Sequence, residues 1–276
     1  MTYVAMGPGA LDYQPCRYGT SKLLFRGPKR ALDEPYIAFI GGTETYGRFI
    51  AKPFATLVEE ETGQRCVNFG CLNAGIDVFA RDPYVPVAAA EAVMTVIQVM
   101  GAQNMSNRFY SVHPRRNDRF LAPSDLLKTI FREIDFSEFH FNKHLLTTLR
   151  KTSPDRFDAI YNELQSAWVT RMRLLAEQMN GKVILLWFAD HHPAEDILPL
   201  NGLGDDPLFV TRRMIAQVAP YVSQVVEVVP SAAARGDGTE GMVFAPLEAL
   251  IAQEFPGPRA HQEAAAAVIQ AMSKMA

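Results

Sequence analysis

The residues with reactive or hydrogen-bonding side chains gather in a few polar clusters that follow apolar runs. Gly41-Gly42-Thr43-Glu44-Thr45-Tyr46-Gly47 comes after YIAFI, and NFGCLNAG (68–75) closes a second such run. GAQN (101–104) follows MTVIQVM, Asp190-His191-His192-Pro193 follows KVILLWF, and His261 stands behind Pro256-Gly257-Pro258. The turn before Thr43 would aim backbone N–H groups at an anion such as phosphate or sulfate, or Thr43 would simply cap the next helix. It has neither Walker nor GxGxxG spacing, so it carries no nucleotide signature. His191 and His192 are adjacent and point to opposite sides of an extended chain, and neither belongs to an HxxxH or HExxH pattern. No metal site and no cofactor are expected. Arg108, Arg115, Arg116 and Arg119 are interleaved with Phe109, Tyr110 and Phe120. They read either as a solvated loop or as bidentate donors to an anionic substrate group.

These clusters need a scaffold, and hydrophobic patterning supplies one. Short runs at residues 36–40, 66–69, 94–100, 182–188 and 224–229 are apolar on both faces, as in strands of a buried parallel sheet. Helical spacing covers residues 48–62, a stretch from about 85, then 155–179, 207–218, 247–253 and 259–275. Such alternation predicts a three-layer α/β/α domain of flavodoxin-like type, with a five-stranded parallel sheet. Ligands in such sheets bind beyond the carboxyl ends of the strands, where the polar clusters fall. Residues 1–35, with Pro8, Pro15, Pro28 and Pro35, read as an extended lead-in packed on a single domain of residues 36–276. Residues 102–150 form a long insertion after the third strand.

Composition narrows the classes further. The 276 residues carry a net charge of −3 and are 48% hydrophobic, which suits a sizeable globular core and gives no basic footprint for nucleic acid. Three cysteines without a CxxC argue against a disulfide scaffold or cysteine zinc site, and a reducing cytoplasm is the expectation. The first residues have no signal-peptide pattern, and no apolar run reaches membrane-spanning length.

Taken in order, the clusters resemble the blocks of the SGNH (GDSL-type) hydrolase superfamily. GGTETYG (41–47) overlays its first block, NFGCLNAG its second, GAQN its third and His261 its final histidine. The resemblance implies Thr43 as nucleophile and His261 as base. It implies oxyanion donors from Gly70 or Asn73 and from Asn104 or Gln103. In this sequence Thr43 stands where the family has serine, Gly42 where it has aspartate, and Pro258 at the usual acid position before His261. Asp190 or Glu263 would have to supply the acid. YGTSKLLFRGP (18–28) and SNRFYSVHPRRNDRF (106–120) also look like a bacterial family of unknown function.

The expectation is therefore an esterase or acyltransferase working through a Thr/His pair on an acylated polar, anionic or carbohydrate small molecule. Arg108, Arg115, Arg116, Arg119 and His191 would bind that substrate. The alternatives are a catalytically degenerate SGNH-like fold that binds an anionic ligand, and a sulfuryl- or phosphoryl-transfer protein.

Overall fold

A computed structural model describes residues 9–195 and 202–275. Along the chain, β1 (Tyr36–Ile40) runs into a single helical turn, α1 (Thr43–Tyr46), and then α2 (Phe54–Thr62). β2 (Arg65–Asn68) is followed by α3 (Ile76–Ala80) and α4 (Val85–Glu91). After β3 (Met94–Gln98) comes an insertion made of a hairpin, β4 (Tyr110–His113) and β5 (Arg116–Pro123), and the helices α5 (Asp125–Ile130) and α6 (Asn142–Thr152). The long α7 (Pro154–Glu177) then leads to β6 (Lys182–Phe188), α8 (Arg212–Val218) and β7 (Gln224–Val228). Helices α9 (Ala232–Gly236), α10 (Ala249–Ala252) and α11 (Pro258–Met275) complete the order.

Five strands form one parallel sheet in the order β2-β1-β3-β6-β7. Crossovers leave β1 toward one edge and β3 toward the other, so a crevice opens beyond the carboxyl ends of β1 and β3. Period-two alternation divides the strand side chains between two cores. Tyr36, Ala38, Ile40, Val183, Leu185 and Trp187 face the core built with α3, α4, α7 and α8. Ile37, Phe39, Ile184, Leu186 and Phe188 face the core built with α2 and α11. The predicted three-layer α/β class, its five parallel strands and the insertion after the third are all present.

Element edges differ from the sequence expectation for identifiable reasons. The helix expected over residues 48–62 begins only at Phe54, because Pro53 takes the cap position in extended backbone and a proline disfavours helix in the residue before it. Phe49, buried under Phe244 and Phe255, adopts φ +66° instead. The helix expected from residue 207 starts at Arg212, where the Thr211 hydroxyl caps Met214 N–H. Over residues 247–253, a 3₁₀ turn (Pro246–Glu248) precedes α10.

Residues 9–35 lie against the first core, with Tyr18, Leu23 and Phe25 buried. The earlier part of the lead-in, residues 1–8, falls outside the described residues. Arg26 is buried and donates to the carbonyls of Gly47 (2.5 Å), Tyr46 (3.3 Å) and Ala51 (2.8 Å). It thereby satisfies acceptors left open at the end of α1. Cys16, Cys66 and Cys71 are free thiols, and burial pushes that of Cys66 up to about 12. Among the described residues no helix is long and apolar enough to cross a membrane.

Candidate functional site

The turn after β1 is tied to β3 by one side chain. Gln98, the last residue of β3 and buried, accepts at Oε1 from Gly42 N–H (3.1 Å), Thr45 N–H (3.1 Å) and the Thr45 hydroxyl (2.5 Å). Its Nε2 donates to Glu44 Oε2 at 2.7 Å. Gly41 has no room for a side chain here: a Cβ would lie 2.1 Å from Thr45 Oγ1 and 2.5 Å from Gln98 Oε1.

Thr43, the first residue of α1, is 5% exposed and meets the loop after β2. Its Oγ1 accepts from Asn73 N–H at 2.9 Å and donates to Asn73 Oδ1 at 3.4 Å. Asn73 sits in left-handed backbone at φ +54°, which this pairing holds in place. Asp118, carried in on β5 of the insertion, stands near the Asn73 side chain. Burial raises the Asp118 carboxyl above its ordinary range. Asn104 Nδ2 reaches Asn73 O at 3.5 Å, while its Oδ1 accepts from the buried Asn142 at 3.1 Å.

Beyond these residues lies a cavity of about 700 Å³, bordered by Thr43, Glu44, Asn73, Gln98, Gln103 and Asn104. Its ionisable groups are Glu44, Asp190, Asp205, Asp206 and Glu254, against Lys143 and Arg235. Lys143 pairs with Asp206 at 3.4 Å, and Arg235 donates to Pro230 O at 2.8 Å. Gln103 Nε2 donates to Asp206 at 3.0 Å. Burial, with Asp206 adding in the same direction, raises the Glu44 carboxyl above its ordinary range.

The structure brings Thr43, Asn73 and Asn104 to one strand end, and the remaining expected residues lie elsewhere. His261 is 1% exposed, stacked on Phe54 (5.8 Å between centroids) and edge-on to Phe188 (5.4 Å). Its Nδ1 accepts from Phe54 N–H at 3.2 Å, so the neutral ring carries its proton on Nε2. That is the reverse of the tautomer a triad base needs. Burial, then Arg26, lowers its pKa to about 3. It is a core histidine joining α2 to α11. The acid proposed at Glu263 bonds Ser231 instead (2.8 Å to its N–H).

Gly70 N–H is taken by Asn68 Oδ1 at 2.8 Å, so Gly70 is no free oxyanion donor. Arg108, Arg115, Arg116 and Arg119 are not among the cavity residues. Arg108 pairs with Glu163 of α7 at 2.8 Å, and Arg119 lies over the Phe141 ring at 3.9 Å. Arg115 and Arg116 sit at the tip and start of the hairpin strand β5. His191 binds the His192 and Asp206 carbonyls (2.8 and 3.1 Å) beside the cavity. Four side chains central to the site escaped sequence reasoning: Glu44, Gln98, Asp118 and Asp206. Only Gln98 left a signal, as the one amide within the apolar MTVIQVM run.

Fold and site together define a three-layer α/β protein with a polar, carboxylate-rich cavity over the switch point of its sheet. The chain belongs to the family described as Domain of unknown function (DUF6473), whose model matches residues 1–276. No curated protein matches it in sequence. Among solved structures it is similar to the lipase Lip_vut3 from a goat rumen metagenome, at 12% identity and a TM-score of 0.44, over 86% of this chain and 97% of that one.

Proposed function

We propose that the protein binds a neutral or cationic, hydroxyl-rich small molecule of carbohydrate type in the strand-end cavity, and that Thr43 shapes this site without attacking the ligand. The observation that carries this reading is the bonding of Thr43, whose hydroxyl is engaged among the described residues as acceptor and donor by Asn73. A hydroxyl becomes a nucleophile when a base removes its proton. The group that meets the Thr43 hydroxyl is the Asn73 amide, where a nucleophile's base would have to stand. An amide oxygen accepts a hydrogen bond and takes no proton.

Charge sets the ligand class. Five carboxyl side chains border the cavity against two basic ones, one of them already paired with Asp206. Such a lining repels anions, so the expectation of an anionic substrate gives way. The sulfuryl- or phosphoryl-transfer alternative loses its support with the arginines. Amides and carboxylates do suit sugar hydroxyls, which both donate and accept.

The esterase or acyltransferase reading stays as the second one, favoured by the convergence of Thr43, Asn73 and Asn104 at one strand end. It needs a base other than His261. One experiment separates the two. Calorimetric binding of glucose, glucosamine and glucuronate is measured beside hydrolysis of 4-nitrophenyl acetate by wild type, Thr43→Ala and His261→Ala. The binding reading predicts affinity for the neutral or amino sugar over the uronate, with no Thr43-dependent turnover. Preference for glucuronate overturns the ligand class. Turnover lost equally in both variants restores the Thr/His mechanism.

A further inference from the structure

Glu44 is a titratable side chain of the cavity with no part in the Thr43 pairing. The hydrogen bonds around Gln98 fix its surroundings. Two backbone N–H groups, of Gly42 and Thr45, point at Gln98 Oε1, and backbone N–H groups can only donate. That atom is therefore the amide oxygen, and Nε2 is the NH₂ group that donates to Glu44 Oε2 at 2.7 Å. Oε2 is thus the accepting, carbonyl-type oxygen of the carboxyl. A proton on Glu44, which lines the cavity, belongs on Oε1, the oxygen to which Gln98 does not donate.

We infer that Glu44 works in this cavity as a carboxylic acid, donating its Oε1–H to an ether, carbonyl or hydroxyl oxygen of the bound ligand. This rests on the cavity being the ligand site. The surrounding charges agree. Asp206 and Asp205 lie in the loop before α8, Asp190 follows β6, and Glu254 precedes α11. Lys143 of α6 and Arg235 of α9 are the basic groups of the lining, and Lys143 is spent on Asp206. Burial is the largest influence and favours the protonated form of Glu44, the Asp206 charge adds a small push the same way, and the Gln98 donor and the Glu44 backbone N–H oppose them. An acid of this kind supplies a hydrogen-bond donor in a site otherwise rich in acceptors.

The test needs no identified ligand. Diazoacetamide esterifies carboxyl groups that still hold a proton: the diazo carbon takes that proton, dinitrogen leaves, and the carboxylate oxygen bonds to the carbon. The full-length protein is treated at pH 7, and esterified peptides are located by mass spectrometry. Glu44 is expected to react measurably faster than fully exposed carboxylates such as Asp125, since its raised pKa leaves a larger protonated fraction at the same pH. Glu44→Gln is expected to abolish that product while leaving the slow labelling of Asp125 unchanged. A Glu44 rate no greater than that of Asp125 overturns the inference whatever the sugars do. Absence of sugar binding overturns the ligand reading instead, and the two failures are read separately.

Discussion

His261 shows how a residue type in the expected place can serve another purpose. Its ring fills the gap between Phe54 and Phe188 and receives the first free N–H of α2. His261→Ala would leave a void and an orphaned donor, costing about 2–4 kcal/mol in urea unfolding, with ester hydrolysis unchanged. The pH dependence has a definite sign. The imidazole ordinarily titrates near 6.5 and in the folded protein near 3, so between those values only the unfolded chain gains the proton. Its contribution is complete above 6.5 and is lost as pH falls toward 3. His261→Gln should therefore show a shallower loss of unfolding free energy between pH 7 and 5 than wild type; equal slopes would contradict the burial of a neutral ring. Sequence alone exposed Thr43, Asn73 and Asn104, because strand-end turns advertise themselves through glycine and amides. It hid Glu44 and Asp118, since a carboxylate acquires a role only from what is folded against it, and Asp118 arrives from 45 residues beyond Asn73.

The loops between elements carry the site, and their close approach limits what they can contain. Gly75 opens α3 directly against the loop after β3, and a Cβ there would lie 1.7 Å from the Asn104 carbonyl oxygen. Backbone on backbone cannot yield without moving Asn73 and Asn104 apart. Gly75→Ala is expected to lower stability by about 3 kcal/mol or more and to weaken sugar binding, read by thermal unfolding and calorimetry. By contrast, Arg108→Ala and Arg119→Ala should leave sugar affinity within twofold of wild type, because their partners are Glu163 and the Phe141 ring. A large loss of affinity in either would return the hairpin arginines to the site. The central strands β1, β3 and β6 were legible because nearly every residue is buried on both faces, and the edge strand β7 through its valines, of which Val226 and Val228 are buried. The hairpin strand β5, RNDRFLAP, was not: its register is irregular where it pairs with β4, and its buried residues Asn117 and Phe120 follow no period of two.

At the level of the whole molecule, the first segment of the chain secures the turn that bears Thr43 and Glu44. Arg26 is buried without a carboxylate partner among its hydrogen bonds, and its three carbonyl acceptors all lie around the end of α1. Arg26→Met keeps the bulk and removes the donors, so unfolding at about 2–4 kcal/mol lower free energy is expected, together with weaker sugar binding. Unchanged binding in a destabilised Arg26→Met protein would mean that α1 holds its shape from Gln98 alone. A proline-rich segment announces that it is extended; where it lies against the domain depends on contacts with residues far along the chain.

The division of the sheet between two cores also has a consequence for how the protein is made. One face acquires most of its cover from helices synthesised beside their strands, ending with α7 and α8. The other relies on α2 near the start and on α11, whose Ala264, Ala265 and Val268 lie over Ile37, Ile184 and Leu186 in one cluster. A nascent chain therefore completes its sheet while half of that face is still bare, and it remains so until Pro258–Met275 has left the ribosome. Chains stalled before α11 should be sticky intermediates that bind hydrophobic dyes and engage chaperones, and docking of α11 should be the event that hides this face.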